Sequence, residues 1–229
     1  MTIVLVHAAW HSPWHWHRVR AELSTPTVTV DLPSCDGRRG DMHDDASEIR
    51  RVLDEHDEVT VVAHSYSGVP VTEAAAGHPS VRHLVYLAAY NADLDETVAG
   101  FLPPDPAEPN VRPDTDLEPT PDGLLRFRPD RAVDVLFHDC PDPRAAVRHM
   151  RETNPVVIGQ APRAIAWQQT PSTYAVCTAD RATAVSVQRR LATRADHVVE
   201  IDSGHSPFLA RPRQVADIIL AAHSSTTAA

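Results

Sequence analysis

The stretch Val59-Thr60-Val61-Val62-Ala63-His64-Ser65-Tyr66-Ser67-Gly68 constrains the fold more than any other part of the chain. Its first half is β-branched and apolar, which suits a strand buried on both faces. Small and polar residues follow, and Val69 to Ala76 then has the composition of a helix start. A strand, a tight turn with a central Ser and a helix together predict a nucleophile elbow. Such a turn lifts the hydroxyl above the end of the sheet. It also aims the first N–H groups of the helix at any charge that develops beside it. The common spacing is G-x-S-x-G; here Ala63 and Ser67 stand at the two Gly positions. Both are small, but neither is Gly.

The rest of the chain supplies a frame for that turn. Ile3 to His7 and Thr27 to Leu32 read as strands, separated by a loop over Ala8 to Pro13 and a helix over Trp14 to Leu23. Asp44 to His56 reads as a helix capped by Asp44 or Asp45, with Ile49, Val52 and Leu53 on one face. Arg82 to Ala88 is a further apolar strand. Alternating strands and helices with near-continuous apolar strands predict a parallel sheet covered on both faces. Ligands of such sheets sit at the carboxyl ends of the strands, where the Ser65 turn lies.

Residues 91–171 break the alternation and hold 13 of the 20 prolines. Leu102 to Pro121 has little apolar content and reads as an extended loop, with short helices possible over Arg131 to Phe137, Pro143 to Glu152 and Arg163 to Gln168. This segment is expected to be a cap inserted over the ligand edge, the alternative being a disordered linker. The alternation then resumes with strands over Ser172 to Thr178 and His197 to Asp202 and helices over Ala182 to Arg194 and Pro212 to His223. The expected division is a core of residues 1–90 and 172–223, an insertion over 91–171 and a frayed tail over 224–229.

Composition excludes more than it selects. The formal charge is −10 over 229 residues, which disfavours nucleic acid and anionic membranes as partners. All 21 basic residues are Arg, so neither a Lys Schiff base nor a phosphate-binding P-loop can form. Cys35, Cys140 and Cys177 are odd in number and far apart, which gives no disulfide framework or zinc spacing and suggests a reducing cytoplasm. No signal peptide or membrane span is expected.

Two residues follow resumed strands and complete a constellation with Ser65: Asp180, after the strand ending at Thr178, and His205, within Asp202-Ser203-Gly204-His205-Ser206-Pro207. A Ser hydroxyl needs a base to take its proton, and an acid to orient that base. The chain order Ser, Asp, His is the order of an α/β-hydrolase triad.

The chain resembles the small α/β-hydrolases that include plant methylesterases, hydroxynitrile lyases and many bacterial esterases. His7-Ala8-Ala9-Trp10-His11-Ser12-Pro13-Trp14-His15-Trp16 is similar to that family's H-G-A-x-H-G-x-W-x-W stretch. Ala63 to Gly68 resembles its G-H-S-x-G-G elbow, Cys177 to Ala182 its C-T-x-D-x-x loop, and Gly204-His205 its terminal His motif. The resemblance runs from Ile3 to about His223 and implies an α/β-hydrolase fold. It assigns Ser65 as nucleophile, Asp180 as acid, His205 as base, and the backbone N–H groups of Ala9 and Tyr66 as the oxyanion hole. The lyases carry a Thr where this chain has Ala8 and a Lys where it has Ser206. The implied chemistry is therefore hydrolysis of a small carboxylic ester, of methyl ester or lactone type, through an acyl-enzyme with no cofactor. Lyase- or cyclase-type acid–base chemistry on the same triad, and ligand binding without turnover, are the alternatives. Oligomeric state is silent in the sequence.

Several side chains invite competing readings. His7, His11 and His15 recur every four residues, but Pro13 interrupts any helix and no carboxylate or Cys completes a metal set. His7 reads as a satisfied strand-end residue, His15 and His17 as a solvated helix face, and His64 as packing under the elbow. Trp14 and Trp16 read as core, whereas Trp10 and Tyr66 are candidates to line a substrate pocket. Asp93, Asp95, Asp196 and Asp202 compete with Asp180 for the acid position. Arg126, Arg128 and Arg131 could meet an anionic substrate, although a solvated Arg run is the simpler reading.

Overall fold

A computed structural model describes residues 1–225 of the chain. In chain order its strands are Thr2–Val6 (β1), Thr27–Val30 (β2), Val59–His64 (β3), Val81–Leu87 (β4), Leu117–Pro119 (β5), Leu125–Phe127 (β6), Ser172–Cys177 (β7) and His197–Ile201 (β8). Six of them form one sheet in the order β2–β1–β3–β4–β7–β8, with every neighbouring pair parallel. The short β5 and β6 pair separately as an antiparallel hairpin. The α-helices are His17–Glu22 (α1), Met42–Leu53 (α2), Gly68–Ala74 (α3), Pro113–Asp116 (α4), Pro129–Val135 (α5), Pro143–Arg148 (α6), Val185–Ala192 (α7), Pro207–Ala210 (α8) and Pro212–Ser225 (α9). Every residue of β3 and β7 is buried, so helices cover both faces of the sheet. Helix α2 packs with α3, and α1 packs with α9, which also rests on β3 and β4. Each fully buried Val or Leu of these strands contributes about 1.5–3 kcal/mol relative to its exposure. Among the described residues no helix is long and apolar enough to cross a membrane.

The sheet order reverses between β1 and β3, since the chain leaves β1 for the β2 edge and then returns. The loops that leave β1 and β3 therefore part company and open a crevice. Val6 is in register with Ala63, and Cys177 with Ile201. Residues just past these pairs emerge together at one end of the sheet.

Several boundaries differ from expectation, each for a local reason. Pro13 starts a 3-10 turn over Pro13–Trp16, and α1 begins only at His17. That tighter turn rotates His15 inward: it is buried, not solvated, while His17 is exposed. Helix α2 is capped by Asp41, whose side chain accepts the N–H groups of His43 and Asp44 at 2.8 and 3.0 Å. Asp44 returns the bond by accepting the Asp41 N–H at 2.9 Å, a reciprocal cap worth about 1 kcal/mol. Asp45, the other expected cap, is instead fully buried. Leu102 to Pro121 is not wholly extended, since it carries α4 and β5, and no helix forms over Arg163 to Gln168. Helix α7 starts at Val185, not Ala182. Ser224 and Ser225 belong to α9, and the rest of the expected frayed tail lies outside the described residues.

The β3–α3 junction is a tight turn through a 3-10 segment over Ser65–Ser67. Ser65 has φ of 53°, a left-handed conformation that costs a non-Gly residue about 1–2 kcal/mol. Ser67 holds it in place: its hydroxyl accepts the His64 N–H at 2.9 Å, and its one proton is shared between the His64 carbonyl at 2.9 Å and the Val6 carbonyl at 3.0 Å. The Tyr90 N–H donates to the Ser65 carbonyl at 3.1 Å. A Ser where the common spacing has Gly thus ties the turn to β1. Gly68 admits no such change, because a Cβ there would lie 2.7 Å from the Tyr90 backbone N and O.

Three buried histidines pack behind this turn and beneath the β1 loop. His11 Nδ1–H donates to the Ala9 carbonyl at 2.9 Å, His15 Nε2–H to the Ala146 carbonyl at 3.2 Å, and His64 Nε2–H to the His205 carbonyl at 2.8 Å. The His11 and His15 ring centroids are 4.5 Å apart. Burial holds all three below the ordinary imidazole range: His15 falls to about 3, and His11 and His64 fall well below 6.5, lowered further by neighbouring histidines.

Two outcomes follow. Gly68→Ala should lower stability by about 1–3 kcal/mol, read as a drop in the urea midpoint at constant slope, because the atoms it meets are backbone. The histidines are neutral when folded and protonate when unfolded, so the unfolded state binds more protons below pH 6.5. Stability should therefore fall as pH drops from 6.5 toward 5, by up to about 1.4 kcal/mol per pH unit for each histidine. Asp45, raised to about 6 by burial, has the opposite sign and offsets one of them. His15→Gln should flatten the slope of urea midpoint against pH; an unchanged slope would contradict this account.

Candidate active site

A cavity of about 340 Å3 lies at the carboxyl end of the sheet. Residues that follow five of the six sheet strands reach it: Ala9 and Trp10 after β1, Ser65 and Tyr66 after β3, Tyr90 after β4, Thr183 after β7 and His205 after β8. The wall opposite comes from the segment between β4 and β7, including Phe101, Val111, Leu117, Leu125, Leu136 and Ile158.

His205 and Asp180 meet as their positions past β8 and β7 require. His205 Nδ1–H donates to Asp180 Oδ2 at 2.8 Å, with both side chains almost wholly buried. That bond fixes the tautomer that leaves Nε2 unprotonated. Asp180 is itself saturated: Oδ1 accepts the N–H groups of Ala182 and Thr183 at 2.7 and 3.0 Å, and Oδ2 accepts Gln188 Nε2 at 2.8 Å. Four donors hold this carboxylate in place. None of the rival acids lines this cavity. Asp93 accepts the Leu94 N–H, Asp196 accepts the Ser172 N–H, and Asp95 and Asp202 are exposed.

Ser65 lines the same cavity as His205, and among the described residues its hydroxyl has no hydrogen-bond partner in the protein. Ala9 and Tyr66 each lie three positions beyond the paired residues Val6 and Ala63, which brings them to the cavity beside Ser65. No protein acceptor among the described residues takes the N–H of either one.

The loop after β1 is stapled to the inserted segment. Trp10 has φ of 60°, its N–H donates to Thr153 Oγ1 at 2.7 Å, and its indole N–H donates to the Leu125 carbonyl at 3.1 Å. The Ser12 hydroxyl donates to the His149 carbonyl at 2.8 Å, and the Trp14 ring stacks on His149. Trp16 is core. Arg126, Arg128 and Arg131 pair with Glu152, Glu118 and Asp116, and none of the three lines the cavity.

Two carboxylates escaped the sequence reading. Asp45 Oδ2 accepts the Tyr66 hydroxyl at 2.6 Å and the Ser34 hydroxyl at 2.6 Å, which pins the residue after Ser65. Asp139 Oδ2 accepts the Gly204 N–H at 2.9 Å and the Ser203 hydroxyl at 3.0 Å, so the inserted segment holds the His205 loop. A Cβ on Gly204 would lie 2.5 Å from the His138 ring. Local sequence marks neither acid, because their partners are between 11 and 65 residues away.

Residues 3–218 match the model of the α/β hydrolase family. The α/β hydrolase nvfD of Aspergillus novofumigatus is 27% identical over 241 aligned positions, covering 95% of this chain and 94% of its own. A carbendazim hydrolysing esterase of a Nocardioides species is 33% identical over 112 positions, 44% of this chain and 46% of its own. Among solved structures, a pyrethroid hydrolase from Sphingobium faniae JZ-2 superposes with a TM-score of 0.83 at 22% identity, covering 100% of this chain and 99% of that one. The chain belongs to the α/β hydrolase family, and its relatives include named esterases.

Proposed function

We propose that the protein is a serine hydrolase that cleaves a small carboxylic ester, of methyl ester or lactone type, through an acyl-enzyme. The observation that carries this reading is the 2.8 Å His205–Asp180 bond beside a cavity that also receives Ser65. Ser65 Oγ attacks the ester carbonyl carbon while His205 Nε2 takes its proton. The carbonyl oxygen gains negative charge and accepts the Ala9 and Tyr66 N–H groups. Each such donor is worth about 10²–10³ in rate. The bond to the leaving alcohol oxygen then breaks, and His205 returns the proton to that oxygen. Water repeats the sequence on the acyl group: its proton passes to His205, the bond to Ser65 Oγ breaks, and Oγ regains a proton. The products are one acid and one alcohol, joined in a single hydroxy acid when the ester is a lactone, and each step is a redox-neutral transfer of a proton or an acyl group.

Asp180 acts by orientation. Its four donors hold it in place against His205 Nδ1–H while His205 takes and returns the proton. The names of the relatives agree with ester chemistry, since the carbendazim enzyme is an esterase and the pyrethroid enzyme a hydrolase.

Covalent labelling with a fluorophosphonate tests the reading. The wild type should label at Ser65, with the site identified by peptide mass spectrometry, and His205→Ala should label far more slowly. Ser65→Ala should lose at least about 10⁴-fold in ester kcat/KM, and Asp180→Asn about 10⁴-fold because it permits the wrong imidazole tautomer. Full ester turnover by Ser65→Ala would overturn the proposal.

A further inference from the structure

The cavity wall carries no formal charge. No Asp, Glu or Arg lines it, and the chain contains no Lys. Its two histidines are accounted for: His11 is held neutral by burial, and His205 has its Nδ1–H committed to Asp180. The phenols of Tyr66 and Tyr90 are also committed, to Asp45 and Thr183 Oγ1. Most of the remaining surface is hydrocarbon and aromatic. Leu102, 66% exposed, continues that apolar surface outward from the cavity to solvent.

Besides the Ser65 hydroxyl and the His11 Nε2, which also lack a protein partner among the described residues, one further polar side chain stands unengaged in this wall. Asn110 lines the cavity and, among the described residues, its amide has no hydrogen-bond partner in the protein. Its position is fixed from both sides. The N–H of the next residue, Val111, donates to the Ala182 carbonyl at 3.0 Å, and Glu108 accepts the Ser186 N–H at 3.3 Å. Asn110 is half-buried, and an amide that lines the cavity with its donor and its acceptor both unmet by protein favours a ligand group that supplies them.

Resting on the ester-hydrolase reading, we propose that the cavity selects an uncharged, mainly apolar ester that bears one neutral hydrogen-bonding group away from the scissile bond, and that Asn110 recognises this group. An ionised substituent would lose its hydration in the cavity and meet no counter-charge. A neutral ketone, hydroxyl or ether would meet the Asn110 amide.

Three methyl esters matched in length separate these terms: methyl hexanoate, methyl 5-oxohexanoate and monomethyl glutarate. They share the reacting carbonyl and differ only at the far end, where they carry an ethyl, an acetyl or a carboxylate group. Methanol release at pH 7.5 should give kcat/KM highest for the oxo ester and at least 100-fold lower for the glutarate. Asn110→Leu should lower the ratio of oxo ester to hexanoate kcat/KM at least tenfold, a change that general loss of structure, acting on both esters alike, would not produce. Glutarate turnover within threefold of the oxo ester, or an unchanged ratio in Asn110→Leu, would overturn the inference. Fluorophosphonate labelling on the same samples separates its failure from that of the hydrolase reading. Labelled Ser65 with none of the three esters cleaved overturns the substrate class alone, whereas absent labelling overturns the nucleophile assignment.

Discussion

The left-handed backbone at Ser65 is the constraint on which the site depends. A residue at φ of 53° between a buried strand and a helix is held there only if its surroundings leave no alternative. Ser67 supplies one restraint by bridging His64 and the β1 residue Val6, and the Tyr90 N–H supplies another at the Ser65 carbonyl. These bonds tie the turn to β1 and to the segment that follows β4. The sheet and the turn therefore act together: the parallel register brings Ala9 and Tyr66 to the cavity that Ser65 lines, and the Ser67 bond to Val6 anchors the turn to β1.

The inserted segment completes what the sheet cannot. A parallel sheet delivers side chains to its carboxyl edge but leaves that edge open to water. Residues between β4 and β7 close it, and they do so through specific bonds rather than by lying over it. Thr153 and Leu125 hold Trp10 of the β1 loop, while Asp139 holds Gly204 beside His205. The same segment thus shapes the apolar wall and fixes two of the loops that carry the proposed chemistry. A change in its packing would be felt both in which ester fits and in where the base stands.

Much of the sheet was legible in the sequence because β-branched runs such as Val59 to Val62 have few alternatives to a buried strand. Asp180 and His205 were legible because each follows such a run, and parallel topology sends both to one edge. The inserted segment was not. Its hairpin strands have three residues each, too few to show alternation, and they are stabilised by contacts with Trp10 and Thr153 that no local pattern reveals. His15 was misread for a local reason, since the 3-10 turn after Pro13 changes which face points inward. Asp45 resembled a helix cap because an acid in a first turn usually is one; its true partners, Ser34 and Tyr66, lie on other elements.

The central claim is that Ser65 becomes acylated during turnover. Rapid acid quenching of the wild type with a slowly deacylating ester, followed by peptide mass spectrometry, tests it most directly. The account predicts the acyl mass on the peptide that contains Ser65, with no adduct in Ser65→Ala. Turnover of the same ester with no adduct on Ser65 at any quench time, or an adduct on another residue, would contradict it.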